Sequence, residues 1–65
     1  MNNSEMLKNL IGLTTEEAVT FCEQHNLIYR LSKYNGKPLV LTRDYKTDRV
    51  NVEVENNIIT QYFLG

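Results

Sequence analysis

Cysteine and histidine occur once each in these 65 residues, and that scarcity closes off several kinds of chemistry. A lone Cys22 excludes an intrachain disulfide and favours a reducing compartment, because small domains of oxidising compartments are usually stapled. Cys22 and His25 stand three apart on one helical pattern, but together they fall short of the three or four ligands a zinc centre needs. No metal and no cofactor is expected, and Cys22 reads as a small core residue beside a half-buried histidine. Apolar runs are short: none approaches the ~20 residues of a membrane-spanning helix. Basic excess is missing too, since seven Lys and Arg face eight Asp and Glu for a net charge of −1. That balance argues against a nucleic-acid partner, which would require a basic face. The first residues, Met1-Asn2-Asn3-Ser4-Glu5, lack a basic stretch ahead of an apolar core. A cytoplasmic protein is therefore expected, or a secreted one only as a processed form.

What remains is a single small globular domain. A hydrophobic fraction of 42% with 23% charged residues suits a folded chain rather than a disordered one. A domain of this length buries only about 60% of its unfolded surface, so its stability is modest.

The patterning resolves into a few elements. Ser4 to Ile11 reads as a short helical turn with Ser4 as cap, Met6, Leu7, Leu10 and Ile11 on one side, and Gly12 to end it. Thr14 and Glu17 stand at capping-box spacing and open a second helix. Ala18, Val19, Phe21, Cys22 and His25 follow at helical intervals, and Asn26 supplies a left-handed cap. Leu27 to Tyr34 reads as a strand. Asn35-Gly36 alone suggests a tight hairpin. The extended apolar run Leu39-Val40-Leu41 beyond it argues instead for a long connection to a parallel neighbour. The thirteen residues between Tyr34 and Asp48 are enough for such a crossover, which takes about a dozen. Val50, Val52 and Val54 then alternate with Asn51, Glu53 and Glu55, marking a half-buried strand with a solvated face. Asn56-Asn57 makes a tighter turn, and Ile58 to Leu64 returns antiparallel to the valine strand.

The most informative stretch is Thr42-Arg43-Asp44, then four residues, then Arg49-Val50-Asn51-Val52. It resembles the binding loop and supporting strand of the potato inhibitor I family of serine peptidase inhibitors, the eglin and chymotrypsin-inhibitor type. It is closer still to their small bacterial and fungal relatives, the inhibitor family numbered seventy-eight. Ile11-Gly12-Leu13-Thr14-Thr15-Glu16-Glu17-Ala18 resembles that family's entry to its helix, and Gly65 stands where such proteins end. The resemblance implies an α+β domain: one helix on a small mixed sheet, with a long exposed loop joining two parallel strands.

It also implies a function. The loop would mimic a substrate, with Arg43–Asp44 as the reactive bond, Thr42 before it and Tyr45 as an aromatic anchor beyond it. Arg43 implies a trypsin-like target, and subtilisin-like enzymes also belong to the family's range. Arg49 matches the supporting arginine, expected to reach both Thr42 and Asp44 from the surface of the fold. Asn51 stands where plant and leech-type members carry a second supporting arginine, and its amide is shorter. Gly36 to Thr42 is longer than in typical members, and Pro38 would stiffen the approach.

Blander readings stand beside these. Arg49 and Asp44 could form an ordinary exposed ion pair worth under ~1 kcal/mol. Glu16-Glu17 serve a helix start and Glu53 and Glu55 a solvated strand face, so neither pair suggests acid–base catalysis and no enzyme is expected. The competing function is a non-inhibitory interaction module on the same scaffold, binding another protein. Self-association through an edge strand stays open.

Overall fold

The computed structural model describes residues 3–65, with side chains from Glu5 onward. Helix α1 (Asn3–Leu7) runs directly into a 3₁₀ turn (Lys8–Leu10), so the expected single turn is two stacked pieces. The side chain of Ser4, the expected cap, lies outside the described residues. Leu7 and Leu10 are buried, whereas Ile11 is half exposed.

Helix α2 (Thr15–Gln24) starts where the spacing predicts. The Thr14 N–H donates to Glu17 Oε1 at 2.9 Å and the Glu17 N–H donates to Thr14 Oγ1 at 3.2 Å, a complete capping box. It ends on Asn26, at φ +57°, with the Leu27 N–H returning to the Cys22 carbonyl at 2.8 Å. That is the left-handed closure expected of an asparagine after a helix. Ala18 and Cys22 are buried, and burial pushes the Cys22 thiol up, so it packs rather than reacts. His25 is exposed rather than half-buried, its ring 4.5 Å from that of Phe21. Val19 is about a third exposed and stays out of the core, because the inward arc of so short a helix is already filled by Ala18, Phe21 and Cys22.

Strands β1 (Ile28–Tyr34), β2 (Lys37–Pro38), β3 (Arg49–Glu55) and β4 (Ile58–Leu64) form one mixed sheet in the order β2-β1-β3-β4. The parallel β1–β3 pair and the antiparallel β3–β4 pair are both as expected. The tight hairpin set aside in the sequence is nevertheless present. Asn35 and Gly36 both have positive φ, +48° and +83°, and turn β1 back onto β2. Positive φ at both central residues is what a two-residue turn requires, and Asn-Gly supplies it at little strain. Hairpin and crossover are compatible because β2 lasts only two residues, and the chain then leaves the sheet edge and crosses towards β3.

Central strand β3 divides the domain by its alternation. Val50, Val52 and Val54 join Leu7, Leu10, Ala18, Cys22 and Ile59 in a buried core beneath α2. Tyr29 and Leu31 of β1 and Tyr62 of β4, opposite the valines, close its margins. The other face carries Arg49, Asn51 and Glu53, flanked by Ile28 and Arg30 on one side and Phe63 and Gln61 on the other. The expected solvated character fails for the first two. Arg49 is 7% exposed and Asn51 0%, because the segment between β2 and β3 folds over them.

Of the two edge strands, β2 has two residues and β4 seven. β2 ends in proline, and the lower half of β4 is covered where Ile59 exchanges main-chain hydrogen bonds with Gly12 and Leu13. Among the described residues, no helix is long and apolar enough to cross a membrane.

Leu10, from the 3₁₀ turn, is fully buried in this core, so the amino-terminal segment belongs to the fold. Leu10→Ala should lower the unfolding free energy by roughly 2–5 kcal/mol, measured by urea denaturation with an unchanged slope. A loss under about 0.5 kcal/mol, the scale of a surface substitution, would place the segment outside the cooperative unit.

Candidate functional site

Residues 39–48 cross from β2 to β3 without regular structure, and all but Leu41 are exposed. Their anchors come from the polar face of the sheet. Near the start, the Leu39 N–H donates to the Ser32 carbonyl at 3.0 Å. At the end, the Ile28 N–H donates to the Asp48 carbonyl at 2.8 Å and the Arg49 N–H to the Lys46 carbonyl at 3.3 Å. Between these main-chain ties, two arginines from neighbouring strands take hold of side chains.

Arg49 is fully engaged. Its Nε donates to the Gly65 main-chain oxygen at 2.7 Å and its Nη2 to the Asp44 carbonyl at 2.6 Å. Its Nη1 lies 3.3 Å from Asp44 Oδ2. The guanidinium thus bridges the side chain and main chain of one residue, rather than forking across both carboxylate oxygens. Its own side chain is 8% exposed and that of Asp44 50%. This is neither the surface arginine the sequence suggested nor an ordinary exposed ion pair. Burial of such a cation costs little only because each arm meets an oxygen.

Arg49 does not reach Thr42. That contact belongs to Arg30, whose Nη1 donates to Thr42 Oγ1 at 2.9 Å. The Nε of Arg30 donates to Asn51 Oδ1 in a short hydrogen bond. Asn51 is directly opposite Arg30 in the parallel ladder, so its short amide has no need to reach the loop. Its Nδ2 donates to the main-chain oxygens of Phe63 and Gly65 at 3.4 and 3.3 Å. Support by two arginines is therefore achieved with one from each parallel strand, and Asn51 orients the second.

Arg30 is the residue the sequence reading missed. Its pairing with Asn51 depends on the register of two strands about twenty residues apart, which local pattern does not encode. The signal available was its alternation with Tyr29 and Leu31, which places it on the loop's side of the sheet once β1 and β3 are paired.

The contacts form a circuit that closes through the main chain at Arg43: Asn51 to Arg30, Arg30 to Thr42, along the chain to Asp44, Asp44 to Arg49, Arg49 to Gly65 and back to Asn51. The Thr42 hydroxyl accepts from Arg30. The Asp44 carboxylate is stabilised by the neighbouring Thr42 hydroxyl first and by Arg49 second, which lowers its pKa from 3.8 to about 2. No buried side-chain nitrogen or oxygen among the described residues lacks a partner. Arg43, held between Thr42 and Asp44, is exposed and has no hydrogen bond to any described residue. Tyr45 is 70% exposed, with one ring edge facing Gly65: a Cβ at that glycine would lie 3.4 Å from Tyr45 Cδ1.

No family model, curated protein or solved structure matches this chain. Among the described residues, no cluster of three or more His, Cys, Asp or Glu could hold a metal ion. The arrangement presents one cationic side chain from a short stretch of backbone braced on both sides.

The circuit predicts a pH dependence with a definite sign. A carboxylate whose pKa falls on folding adds stability that is complete above its unfolded value, near 4, and lost as pH falls through its folded value. Loop order should therefore persist at pH 4 and fade towards pH 2. Asp44 carboxyl ¹³C shifts should titrate with a midpoint near 2, moving up towards 3.8 in Arg49→Ala. A wild-type midpoint near 3.8 would mean that neither Thr42 nor Arg49 holds the group in solution.

Proposed function

We propose that this chain is a substrate-like inhibitor of serine peptidases, with Arg43–Asp44 as its reactive bond and a fold of the potato inhibitor I type. The observation that carries the reading is the double tether. Thr42 is held by Arg30 and Asp44 by Arg49, from two different strands, while Arg43 between them stands free.

Such a loop suits inhibition for two physical reasons. A backbone already ordered loses little conformational entropy on entering a protease cleft, which strengthens binding. If the bond is cut, the new amine belongs to Asp44, whose carbonyl and carboxylate remain on Arg49. The acyl side remains linked through Thr42 to Arg30. Neither end drifts away, so the amine stays placed to re-form the peptide bond. Arg43 would enter a primary pocket bearing a buried carboxylate, the arrangement of trypsin-like enzymes. Tyr45 would pack beyond the bond as an aromatic anchor. The parallel strands joined by residues 39–48, with the helix on the opposite face, support the finer fold reading.

A non-inhibitory interaction module is the second reading. The exposure of Val40 and Tyr45 on either side of Arg43 favours it, since apolar groups flanking a charge suit protein surfaces generally.

Titration against trypsin-, chymotrypsin- and subtilisin-like enzymes separates the two. Inhibition of a trypsin-like enzyme is expected. Arg43→Leu should weaken it by roughly a hundredfold or more, by leaving the pocket carboxylate unpaired, and should improve binding to the other classes. An unchanged ranking would move the reactive bond elsewhere, and no inhibition at all would leave the interaction module.

The tethers predict a further change. Arg30→Ala should convert a slowly cut inhibitor into a substrate cleaved at Arg43–Asp44 while folded. The experiment follows cleavage rate alongside the thermal midpoint. Wild-type cleavage as fast as the mutant's would show that Arg30 restrains nothing relevant.

A further inference from the structure

Strand β4 is the longer edge of the sheet, and its seven residues, Ile58–Leu64, include no charged side chain and no proline. Edges are ordinarily protected by such residues, by brevity or by a cover, because unpaired main-chain groups are a template for another strand. The opposite edge, β2, follows that rule with only Lys37 and Pro38. The lower half of β4 follows it too, since Gly12 and Leu13 occupy the main chain of Ile59. The upper half, from Gln61 to Leu64, has none of these protections.

The ladder to β3 sets the direction of its main-chain groups. The Gly65 N–H donates to the Arg49 carbonyl at 3.0 Å, so alternation turns the groups of Phe63 and Gln61 towards β3 as well. Those of Tyr62 and Leu64 point away from it, and no described residue meets them. Phe63 and Leu64 are also 47% and 39% exposed. Open main chain and exposed apolar side chains thus coincide on one short stretch.

We propose that this stretch is a homodimer interface, on which the same strand of a second copy pairs antiparallel about a two-fold axis at Phe63. In that register Tyr62 faces the partner's Leu64 and Leu64 the partner's Tyr62, so each outward N–H and C=O finds its complement. Phe63 falls opposite its own copy in the non-hydrogen-bonded position between them, where side chains approach most closely and aromatic pairs are favourable. The absence of charge fits the strand to itself, because a charged residue at the axis would meet its own sign. An axis nearer Thr60 is blocked, since Gly12 and Leu13 already hold Ile59. The inference is independent of the inhibitory reading. So short an edge covers less than the ~800 Å² per partner of a stable complex, which makes the dimer a weak one, with a dissociation constant on the order of 100 µM.

The test is sedimentation of the full chain from about 10 µM to about 1 mM, with amide hydrogen exchange at both ends of that range. The average mass should rise towards that of a dimer, and the Tyr62 and Leu64 amides should gain protection at the higher concentration only. Phe63→Lys and Phe63→Glu should each weaken association roughly tenfold or more when alone. An equimolar mixture of the two should associate again, since opposite charges then face each other across the axis. Leu64→Pro, which removes an outward N–H and spares the ladder to β3, should abolish association. Thermal midpoints at low concentration report whether each variant folds, and the exchange measurement on the wild type needs no variant.

A chain that stays monomeric at about 1 mM would overturn the proposal. So would association that survives Leu64→Pro, or protection gained at other amides but not at these two. A mixture of folded Phe63→Lys and Phe63→Glu chains that fails to associate would overturn it as well.

Discussion

Asn51 occupies a fully buried position on the central strand, on the face where the valine alternation suggests solvent. Its amide has one arginine on its oxygen and two main-chain oxygens on its nitrogen, from strands on opposite sides of β3. Much of what lies above the sheet depends on that placement. With Oδ1 directed at Arg30, the guanidinium is turned so that another arm meets Thr42. With Nδ2 directed at Gly65, the same main-chain oxygen serves Arg49 as well. Buried polar groups in low dielectric are either all satisfied or costly, so the network favours one arrangement over its alternatives. An apolar residue at this position would bury more easily, yet it would leave Arg30 without its inner partner.

Parallel pairing puts the loop where this network can reach it. Two parallel strands cannot be joined by a tight turn, and the connection must return from one end of the sheet to the other. Here a two-residue hairpin first redirects the chain, and residues 39–48 then cross the face opposite the helix. The two faces of β3 thus have separate tasks: the valines hold the helix, and Arg49 and Asn51 hold the crossover. Loop support can consequently change without altering the hydrophobic core directly. Arg49 is an exception in part, because its enclosure means that truncation also costs stability.

The elements legible in the sequence are those written in short-range chemistry. Thr14 and Glu17 lie three residues apart and cap each other's backbone, and Asn26 meets a left-handed position at the helix end. Val50, Val52 and Val54 declare a strand by period alone. The contact between Arg49 and Asp44 was expected from the resemblance of the loop and its supporting strand, since spacing alone would equally have allowed an exposed ion pair. What stayed hidden depended on register. Arg30 reads as an outward polar residue until β1 is laid beside β3, and Asn51 reads as solvated until the loop covers it. The Asn35-Gly36 hairpin was hidden differently. Its local signal was plain, but a crossover and a hairpin looked like alternatives, and a strand of only two residues lets the chain make both.

Without a disulfide, order in the crossover has to come from how it is subdivided. Fixing one residue's backbone costs about 1–2 kcal/mol, so holding all of residues 39–48 would exceed what a domain this small can supply. The anchors fall at Leu39, Thr42, Asp44, Lys46 and Asp48, leaving only one or two residues between neighbours. They are not equivalent. Those at Leu39, Lys46 and Asp48 are single main-chain hydrogen bonds, whereas Thr42 and Asp44 are each gripped by a guanidinium. Rigidity is thereby concentrated on the two peptide bonds that flank Arg43, and the chain beyond them is held more lightly. Coulombic attraction alone would not produce that distribution, because half of the Asp44 side chain faces water and its charge is screened. The contact from Arg49 to the Asp44 carbonyl adds what the carboxylate contacts cannot, because it fixes main chain rather than a rotatable side chain.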